Sequence, residues 1–579
     1  MNQPHPLQQN HPKQTRRQLH LNRFRLKRAR QTVAGLALLT LLPLAIQAGP
    51  STSFKAYLQS LNEPSQAATA AAFSSGKELS TEQERQIQHW LGQYTRAHYG
   101  DEALSLLAEL VAIPTYRKDD IPSHENPAFI ALGEKIGAIA KRFGLAFRNI
   151  DNRVFEVTLA GASDELVGIH AHGDVVPVNP ANWVLDDGTM LDPFTVTTIG
   201  NRMYGRGTED DKNGIVATLY AMKVIKEEGL PLARTFRLLV DTTEETTGTA
   251  IPYYFERNPT PQYNLALDGG YPVIIAEKGY GVVMASFPVA ETDEPGPAFV
   301  DLTGGLATNQ IPKIATTHLA TPEPEAWLAK LQPIADRFAA DQGGNFQVAM
   351  TTTDDGIDLR VIGESAHSSA PQSGVNPVSR LLLLIDQIAD QLPVANNHIR
   401  QAAAYAADNW GLDFYGQKMG IAFEHPFMGP LTAAITQVKL DDQQLQLAVN
   451  LRVPAEVDLA RLQQTITDQI VSWGREQQTA VDLDITLGEP MYRNPKGKWV
   501  NRLLDVATEN LGLPREFASS AGGTSVHHLP NGVQFGLAMP GVKYTGHNAN
   551  EFKTVDQFLM DLQIVTEMMI SIGQLPELN

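Results

Sequence analysis

Cysteine is absent from the 579 residues of this chain. The chain therefore has no disulfide, no thiolate ligand for a metal ion and no cysteine nucleophile. Any metal site must be built from the side chains of histidine, aspartate and glutamate.

Long apolar runs are almost missing as well. After residue 48 no segment has about 18 consecutive apolar residues, so no membrane span is expected there. The marked run at residues 33–46 follows a basic stretch and precedes Gln47-Ala48-Gly49, an order typical of a signal peptide. We predict that residues 1–48 form a signal peptide cleaved after Ala48, and hence a periplasmic or otherwise exported protein. An uncleaved N-terminal anchor is the alternative, and membrane contact is expected only through this segment.

Positive charge is scarce outside the first 50 residues. The formal net charge is −18, and residues 1–50 contain eight Lys and Arg but no acidic residue, so the remainder carries about −26. Such a surface repels phosphate backbones, and we expect no nucleic-acid partner. A phosphate-binding loop of the G-x-x-x-x-G-K-[ST] type is missing, and His124-Glu125 lacks the second histidine of the single-zinc helix motif.

The length indicates more than one domain. Residues 49–100 are rich in Ala, Ser and Gln and predict a helical extension. Strand and helix patterns alternate through residues 101–282 and return at 488–579, which predicts an α/β catalytic domain with a mixed, largely parallel sheet covered by helices. Residues 283–487 contain alternating apolar and polar runs, typical of half-exposed antiparallel strands, and predict an inserted α+β lid domain.

Several segments place a metal-type ligand at the end of an apolar run or at the start of a helix. The ligands are His172 after residues 166–171, Glu244 and Glu245 after 236–240, Asp268 after 265–267, Asp210 in the turn before a helix, and His547 after 533–539. Ligands in an open α/β sheet gather at the carboxyl ends of its strands, so we expect these side chains to converge on one pocket. Two imidazoles and several carboxylates suit Zn²⁺, Co²⁺ or Mn²⁺. Each segment alone could be a capped turn or a solvated strand end; their joint occurrence favours a metal site.

Together these segments resemble the dinuclear zinc peptidases of family M20, which include bacterial dipeptidases, aminoacylases, carnosinases and carboxypeptidase-like enzymes. The resemblance is greatest to the broad-specificity bacterial dipeptidases and extends from about residue 100 to the end of the chain. The matching stretches are His172-Gly173-Asp174-Val175-Val176-Pro177, residues 205–212, Glu244-Glu245-Thr246-Thr247-Gly248, Asp268-Gly269-Gly270, residues 363–371 and Gly546-His547-Asn548-Ala549-Asn550-Glu551.

The resemblance implies two divalent metal ions, expected to be Zn²⁺, with Co²⁺ or Mn²⁺ as alternatives. One ion is held by His172 and the other by His547. Asp210 bridges both ions, Glu245 completes the coordination of one, and Asp268 that of the other.

The resemblance also implies the catalytic roles. A hydroxide between the two ions attacks the peptide carbonyl. Glu244 acts as the general base and passes the proton to the leaving amine, and Asp174 orients the imidazole of His172. A cis peptide bond is expected between Asp210 and Asp211.

The inserted domain is expected to contact the substrate. By resemblance, His367 stabilises the oxyanion, Arg452 binds the C-terminal carboxylate of the substrate, and Asn309 assists. A surface salt bridge is the alternative for Arg452. Asp268 could also face the free amine of a dipeptide.

Two residues depart from the pattern of the family. Asn213 stands where relatives often have Gly, and His527 stands where related dipeptidases tend to have Arg. We expect His527 and the adjacent His528 to have structural or substrate-pocket roles rather than to bind additional metal ions.

The function expected from these observations is an exported, metal-dependent dipeptidase acting on short peptides with a free N-terminus. The alternatives are an N-acyl-amino-acid deacylase or carboxypeptidase of the same family, or a non-catalytic peptide-binding or zinc-binding protein. A monomer is expected because a large insert can replace a dimer partner, and a dimer is the alternative.

Overall fold

Two β-sheets with separate apolar cores organise the protein. The computed structural model describes residues 53–61, 63–289, 296–343 and 345–579. These residues belong to one compact unit that begins at Thr52. The predicted signal peptide, residues 1–48, lies outside the described residues.

Twelve α-helices and 26 strands are found in the described part of the chain. The helices are α1 (Phe54–Gln59), α2 (Pro64–Ser74), α3 (Thr81–Val111), α4 (Pro127–Arg142), α5 (Lys212–Glu227), α6 (Ala250–Phe255), α7 (Pro324–Asp341), α8 (Pro377–Gln391), α9 (His398–Asn409), α10 (Leu459–Glu476), α11 (Lys498–Leu511) and α12 (Val555–Gln574). The strands are β1 (Ala146–Ile150), β2 (Val154–Leu159), β3 (Leu166–His172), β4 (Thr197–Ile199), β5 (Arg202–Tyr204), β6 (Thr235–Asp241), β7 (Tyr263–Ala266), β8 (Gly269–Gly270), β9 (Ile274–Glu277), β10 (Gly279–Pro288), β11 (Ala298–Gly304), β12 (Gln310–Ile311), β13 (Ile314–Ala320), β14 (Gln347–Thr352), β15 (Gly356–Ile362), β16 (Ala366–His367), β17 (Glu424–His425), β18 (Gly429–Pro430), β19 (Thr432–Leu440), β20 (Gln444–Val453), β21 (Asp482–Leu487), β22 (Met491–Tyr492), β23 (Ala518–Ser520), β24 (Val533–Gln534), β25 (Leu537–Ala538) and β26 (Phe552–Thr554).

The first sheet is mixed, with parallel strands at its centre. Its order is β1-β2-β6-β3-β7-β24-β9-β22, and β23 also pairs with β9. Strand β3 runs parallel to both β6 and β7, whereas β1 and β2 at one end and β22 at the other are antiparallel to their neighbours. Strand β3 is buried along almost its whole length, as its continuous apolar run predicts. Helix α5 packs on β3 and β6 and also contacts α3 and α12. The predicted mixed α/β fold is confirmed.

The second sheet is antiparallel and lies wholly within residues 279–487. Its order is β14-β15-β13-β11-β19-β20-β10-β21. Side chains of β14 and β21 alternate between exposed and half-buried, which explains the alternating polar pattern in the sequence. Helices α7 to α10 accompany this sheet and share its core. We call residues 279–487 the second-sheet region.

The chain passes between the two sheets twice, near residue 278 and near residue 489, and these two passages lie side by side. The chain leaves the first sheet after Glu277 in β9 and comes back to it at Met491 in β22, and these two residues are register partners. The backbone N–H of Gly488 donates to the carbonyl of Tyr280, 2.8 Å away, just inside the second sheet. The second-sheet region therefore begins and ends at almost the same place.

Two element boundaries differ from the predictions. The predicted boundary between the helical extension and the catalytic domain, at residues 100 and 101, falls inside α3, which starts at Thr81 because Ser80 and Gln83 form a capping box there. The single apolar strand predicted at 533–539 is two short strands, because Gly536 between them has a positive φ of 65° that interrupts an extended chain. Among the described residues, no helix combines the length and the apolar character needed to cross a membrane.

Candidate active site and metal centre

The predicted ligands converge at one edge of the first sheet. His172 is the last residue of β3, Glu244 and Glu245 follow the end of β6, and Asp268 follows β7. Because β3, β6 and β7 are parallel neighbours, their carboxyl ends meet at the same edge. Asp210 reaches this edge from the turn before α5, where the expected cis peptide bond to Asp211 is present.

The carboxylate of Asp210 lies between two imidazoles. Its Oδ1 is 2.9 Å from Nε2 of His172, and its Oδ2 is 3.0 Å from Nε2 of His547. The same His547 nitrogen is 2.9 Å from Glu245. Burial alone would raise the pKa of Asp210, but its hydrogen bonds with the two histidines hold that pKa well below the usual range. One carboxylate thus has each of its oxygens directed at a different imidazole.

The ligand atoms fall into two groups that share His172. One group joins His172 with Glu244 and Asp268, the other joins it with Asp210 and Glu245, and within each group all ligand atoms lie within 4.8 Å of one another. Both groups line or adjoin a cavity of about 510 Å³.

The charges in this cavity favour a bound cation. Burial and the negative charges of Glu245 and Asp174 raise the pKa of Glu244 to about 8, against the opposing charge of His172. Burial and the negative charge of Asp210 likewise raise the pKa of Asp268 well above its usual value. Several buried carboxylates repel one another unless a cation stands between them. The set of nitrogen and oxygen donors therefore fits divalent metal ions.

Asp174 supports the site in two ways. It contacts His172 as predicted, and it also contacts the backbone of Glu244 and Glu245, which was not predicted. The His172 imidazole is oriented by the backbone carbonyl of Asp174, 2.9 Å from Nδ1, whereas the carboxylate is 3.6 Å from that nitrogen. The carboxylate instead accepts the backbone N–H groups of Glu244 and Glu245, at 3.2 and 3.0 Å. Asp174 therefore fixes the pair of glutamates as well as the histidine.

Two residues that sequence reasoning did not select hold Asp210 in place. The buried carboxylate of Glu551 accepts the backbone N–H groups of Gly207, Glu209 and Asp210 at 2.9–3.2 Å. The hydroxyl of Tyr544 donates to Oδ2 of Asp210 at 2.5 Å. Glu551 had a sequence signal, since it stands in the matching stretch that contains His547; Tyr544 had none.

Two of the predicted substrate-binding residues lie next to each other in the second-sheet region. His367 in β16 pairs with Gln310 in β12, and Asn309 beside it lines the cavity. Burial, together with the positive charges of Arg452 and His547, lowers the pKa of His367 to about 4.

Arg452 is buried, so its interpretation as a surface salt bridge is wrong. Only 4% of the residue is exposed. Its guanidinium donates to Ser368 Oγ and to the carbonyl of Ala521, both at 3.2 Å, and it stacks over the ring of Tyr280. Within the described part of the chain it forms no ion pair with a carboxylate, and burial lowers its pKa to about 10. A buried cation of this kind suits an anionic group of a ligand.

The residues that depart from the expected pattern lie outside both ligand groups. Asn213 is buried in the first turn of α5. His527 contacts Glu277 and the backbone of Glu489 rather than any predicted ligand. His528 packs edge-to-face on His527.

The comparison with protein families agrees with this geometry. Residues 168–571 match the family described as Peptidase family M20/M25/M40. The chain belongs to this family. The match begins just before His172 and includes every predicted ligand. The resemblance inferred from the sequence motifs is confirmed.

Relatives of this M20 chain include proteins named as dipeptidases. A Beta-Ala-Xaa dipeptidase of Lactobacillus delbrueckii subsp. lactis is 29% identical over 489 residues, which cover 83% of this chain and 97% of that protein. A putative dipeptidase of Bacillus subtilis is 26% identical over 452 residues, covering 77% of this chain and 90% of the relative.

Solved structures support the fold. Human carnosine dipeptidase 1 is similar with a TM-score of 0.50 and 12% sequence identity, covering 84% of this chain and 99% of that one. At this level of identity the likeness concerns the fold.

Proposed function

We propose that this M20 protein is a metal-dependent dipeptidase that hydrolyses short peptides with a free N-terminus. The observation that carries the proposal is the position of Asp210, with its two carboxylate oxygens 2.9 and 3.0 Å from two different imidazoles. The names of the relatives support the dipeptidase class.

Two divalent ions, expected to be Zn²⁺ with Co²⁺ or Mn²⁺ as alternatives, are the proposed cofactors. His172, Glu245, Asp268 and His547 would hold them, with Asp210 shared between the two. Bound there, they would polarise the scissile carbonyl and lower the pKa of a water molecule.

Glu244 is the proposed general base. The carboxylate of Asp174 accepts the backbone N–H of Glu244 and so fixes its position. The Glu244 carboxylate lies close to His172 and Asp268 and is not part of the group that contains Asp210 and Glu245. In the proposed reaction it takes a proton from the attacking water and delivers that proton to the nitrogen of the leaving amine. The tetrahedral species then loses the amine and leaves a free carboxylate.

His367 is the proposed oxyanion donor. The backbone N–H of Ser369 lies 3.3 Å from Nδ1 of His367, so Nδ1 acts as an acceptor and the proton resides on Nε2. With a pKa of about 4 the imidazole is neutral at pH 7 and presents one N–H to the carbonyl oxygen. Asn309, which lines the same cavity, is proposed to assist.

Arg452 is the proposed anchor for the C-terminal carboxylate of the substrate. Its buried and uncompensated charge supports this role. We propose that the second-sheet region, which corresponds to the predicted insert at 283–487, acts as a lid that brings Arg452 and His367 to the cavity. We also propose a monomer, because Asn309 of the second-sheet region lines the same cavity as Asp210, Glu245 and His547.

Export is a separate part of the proposal. It rests on the signal-peptide pattern of residues 1–48. Cell fractionation with mass spectrometry of the mature N-terminus tests it. A new N-terminus at Gly49 supports cleavage after Ala48, whereas an intact N-terminus in the membrane fraction supports the anchor.

The function is tested by incubating the full chain with free dipeptides, N-acetyl amino acids and longer peptides. Each assay is repeated after chelation and after Zn²⁺ or Mn²⁺ is restored. Metal-dependent hydrolysis of dipeptides supports the proposal. Preferential hydrolysis of acylated amino acids assigns the protein to the deacylases, release of C-terminal residues from longer peptides assigns it to the carboxypeptidases, and metal binding without turnover identifies a binding protein.

A further inference from the structure

The side chain of His527 contacts both passages of the chain between the two sheets. Its Nδ1 lies 2.6 Å from the carboxylate of Glu277, the last residue before the chain enters the second-sheet region. Its Nε2 lies 2.7 Å from the backbone carbonyl of Glu489, just after the chain leaves that region. One imidazole therefore joins the entry and the exit of the proposed lid.

Both ring nitrogens of His527 face acceptors. The carbonyl of Glu489 can only accept a hydrogen bond. The Glu277 carboxylate is fully buried and already accepts from Thr524 Oγ1 at 3.0 Å and Gln534 Nε2 at 2.5 Å, as an ionised carboxylate does. To donate to Glu277 and Glu489 at once, the imidazole must carry a proton on each nitrogen, and this is the positively charged form.

The same network reaches the catalytic cavity. Thr524 and Gln534, both bonded to Glu277, line that cavity. Ser520 accepts the backbone N–H of Lys278 at 3.0 Å, and Ala521 accepts a hydrogen bond from Arg452. Residues 520–524 thus connect the passage into the lid, the wall of the cavity and the proposed carboxylate anchor.

We propose that His527 is a positioning residue whose charged imidazole fastens the entry and exit of the lid to the cavity wall and thereby keeps Arg452 in place. A neutral imidazole has a single N–H and can keep only one of the two contacts. The fastening therefore weakens when His527 loses its proton.

Three ionisable groups act on the His527 imidazole. Glu277 favours the charged form, whereas Arg493, which donates to the carbonyl of His527, and the neighbouring His528 disfavour it. Burial also opposes the charge, but the hydrogen bonds to Glu277 and Glu489 prevail and raise the pKa of His527 above its ordinary value near 6.5. With a raised pKa, the fastening is complete below about pH 6.5 and is lost as the pH rises through the higher value.

Hydrogen–deuterium exchange of the full chain tests the proposal without using activity. The amides of Lys278 and Gly488 report on the two passages, and protection factors corrected for intrinsic rates are compared from about pH 6 to about pH 9. We expect their protection to fall about tenfold in the wild type, the size of one charge-assisted hydrogen bond.

His527→Arg, which stays charged, should flatten this profile, and His527→Gln should be weakly protected at every pH. His124→Gln, a partly exposed histidine outside this network, is the matched control and should behave as the wild type. Equal wild-type protection at both ends of the pH range overturns the proposal.

A second measurement rests on the proposed function. For a free dipeptide, KM should rise with pH in the wild type and in the His124→Gln control, with a smaller change in kcat, because Arg452 loses its position. His527→Arg should remove this part of the pH dependence. Failure of the wild type to hydrolyse any dipeptide would refute the proposed function and leave the exchange result intact, whereas a KM that depends on pH equally in wild type and His527→Arg would refute the role of His527.

Discussion

The carboxylate of Asp174 lies 3.2 Å from the backbone nitrogen of Glu244 and 3.0 Å from that of Glu245. A single buried side chain thus sets the direction in which two consecutive glutamates leave the end of β6. The two glutamates then diverge, with Glu245 reaching His547 and Glu244 grouping with His172 and Asp268.

Asp174→Asn is predicted to lower kcat/KM about 10- to 100-fold, because an amide has one acceptor oxygen for two N–H groups and places its NH₂ against the other. Steady-state kinetics with a free dipeptide measure the effect. Asp187→Asn, at an exposed position, is the control and should be unchanged. Wild-type activity in Asp174→Asn would show that the position of the glutamates does not depend on this carboxylate.

Glu244→Gln is predicted to lower kcat about 10²- to 10⁴-fold, since it removes the proton acceptor and keeps the shape of the side chain. KM and the stoichiometry of bound metal should stay close to wild type. Glu256→Gln, at an exposed residue directly after α6, is the matched control. Retention of full turnover by Glu244→Gln would exclude the assigned proton transfer.

Arg452→Ala is predicted to raise KM for free dipeptides by about 10- to 100-fold, the size of a hydrogen bond to a charged group. The effect on dipeptides with an amidated C-terminus should be small, because these lack the carboxylate. The ratio of KM values for the two substrate classes is the measurement. An equal effect on both classes would mean that Arg452 acts only through its contacts with Ser368 and Ala521.

Removal of metal is predicted to lower the melting temperature, because an ion that binds only the folded state stabilises it and because the buried carboxylates of the cavity outnumber the two imidazoles beside them. Differential scanning fluorimetry before and after chelation measures the change, and added Zn²⁺ or Mn²⁺ should restore it in proportion to the logarithm of its concentration. Asp210→Asn should respond much less to added metal. A melting temperature that chelation and added metal leave unchanged would contradict a bound ion at this site.

Lys553→Met is predicted to destabilise the fold by about 3 kcal/mol at neutral pH by breaking a buried ion pair. Lys553 and Asp561 are 2.8 Å apart and almost completely buried. Burial raises the pKa of Asp561 to about 6 even with Lys553 present, and loss of the lysine raises it further. A carboxyl group with a raised pKa favours the folded state at low pH and opposes it as the pH rises, so the deficit should be larger at about pH 8 than at about pH 5. Urea unfolding at the two pH values, with exposed Lys496→Met as control, tests this prediction.

The convergence of the candidate ligands at the ends of β3, β6 and β7 was predictable, because each of them follows an apolar run and parallel strands bring such ends together. His172 and Asp268 illustrate this, since neighbouring parallel strands carry them to one edge. The contacts of Glu551 and Tyr544 were not predictable, because they join the turn at 206–210 to residues more than 330 positions later in the chain. The burial of Arg452 was equally hidden, since it depends on Ala521 and Ser368 from distant segments. Local patterns reveal strand ends, whereas only tertiary packing reveals what supports them.

The pairing of Glu277 with Met491 has a consequence for the evolution and engineering of this protein. Directly opposed residues in antiparallel strands are about 5 Å apart, a gap that a two-residue hairpin connection can close. Residues 278–490 therefore form a cassette whose removal need not change the path of the remaining chain. The same junction could accept the corresponding segment of another M20 protein, so that substrate preference could be exchanged as a block while the metal ligands stay in the host.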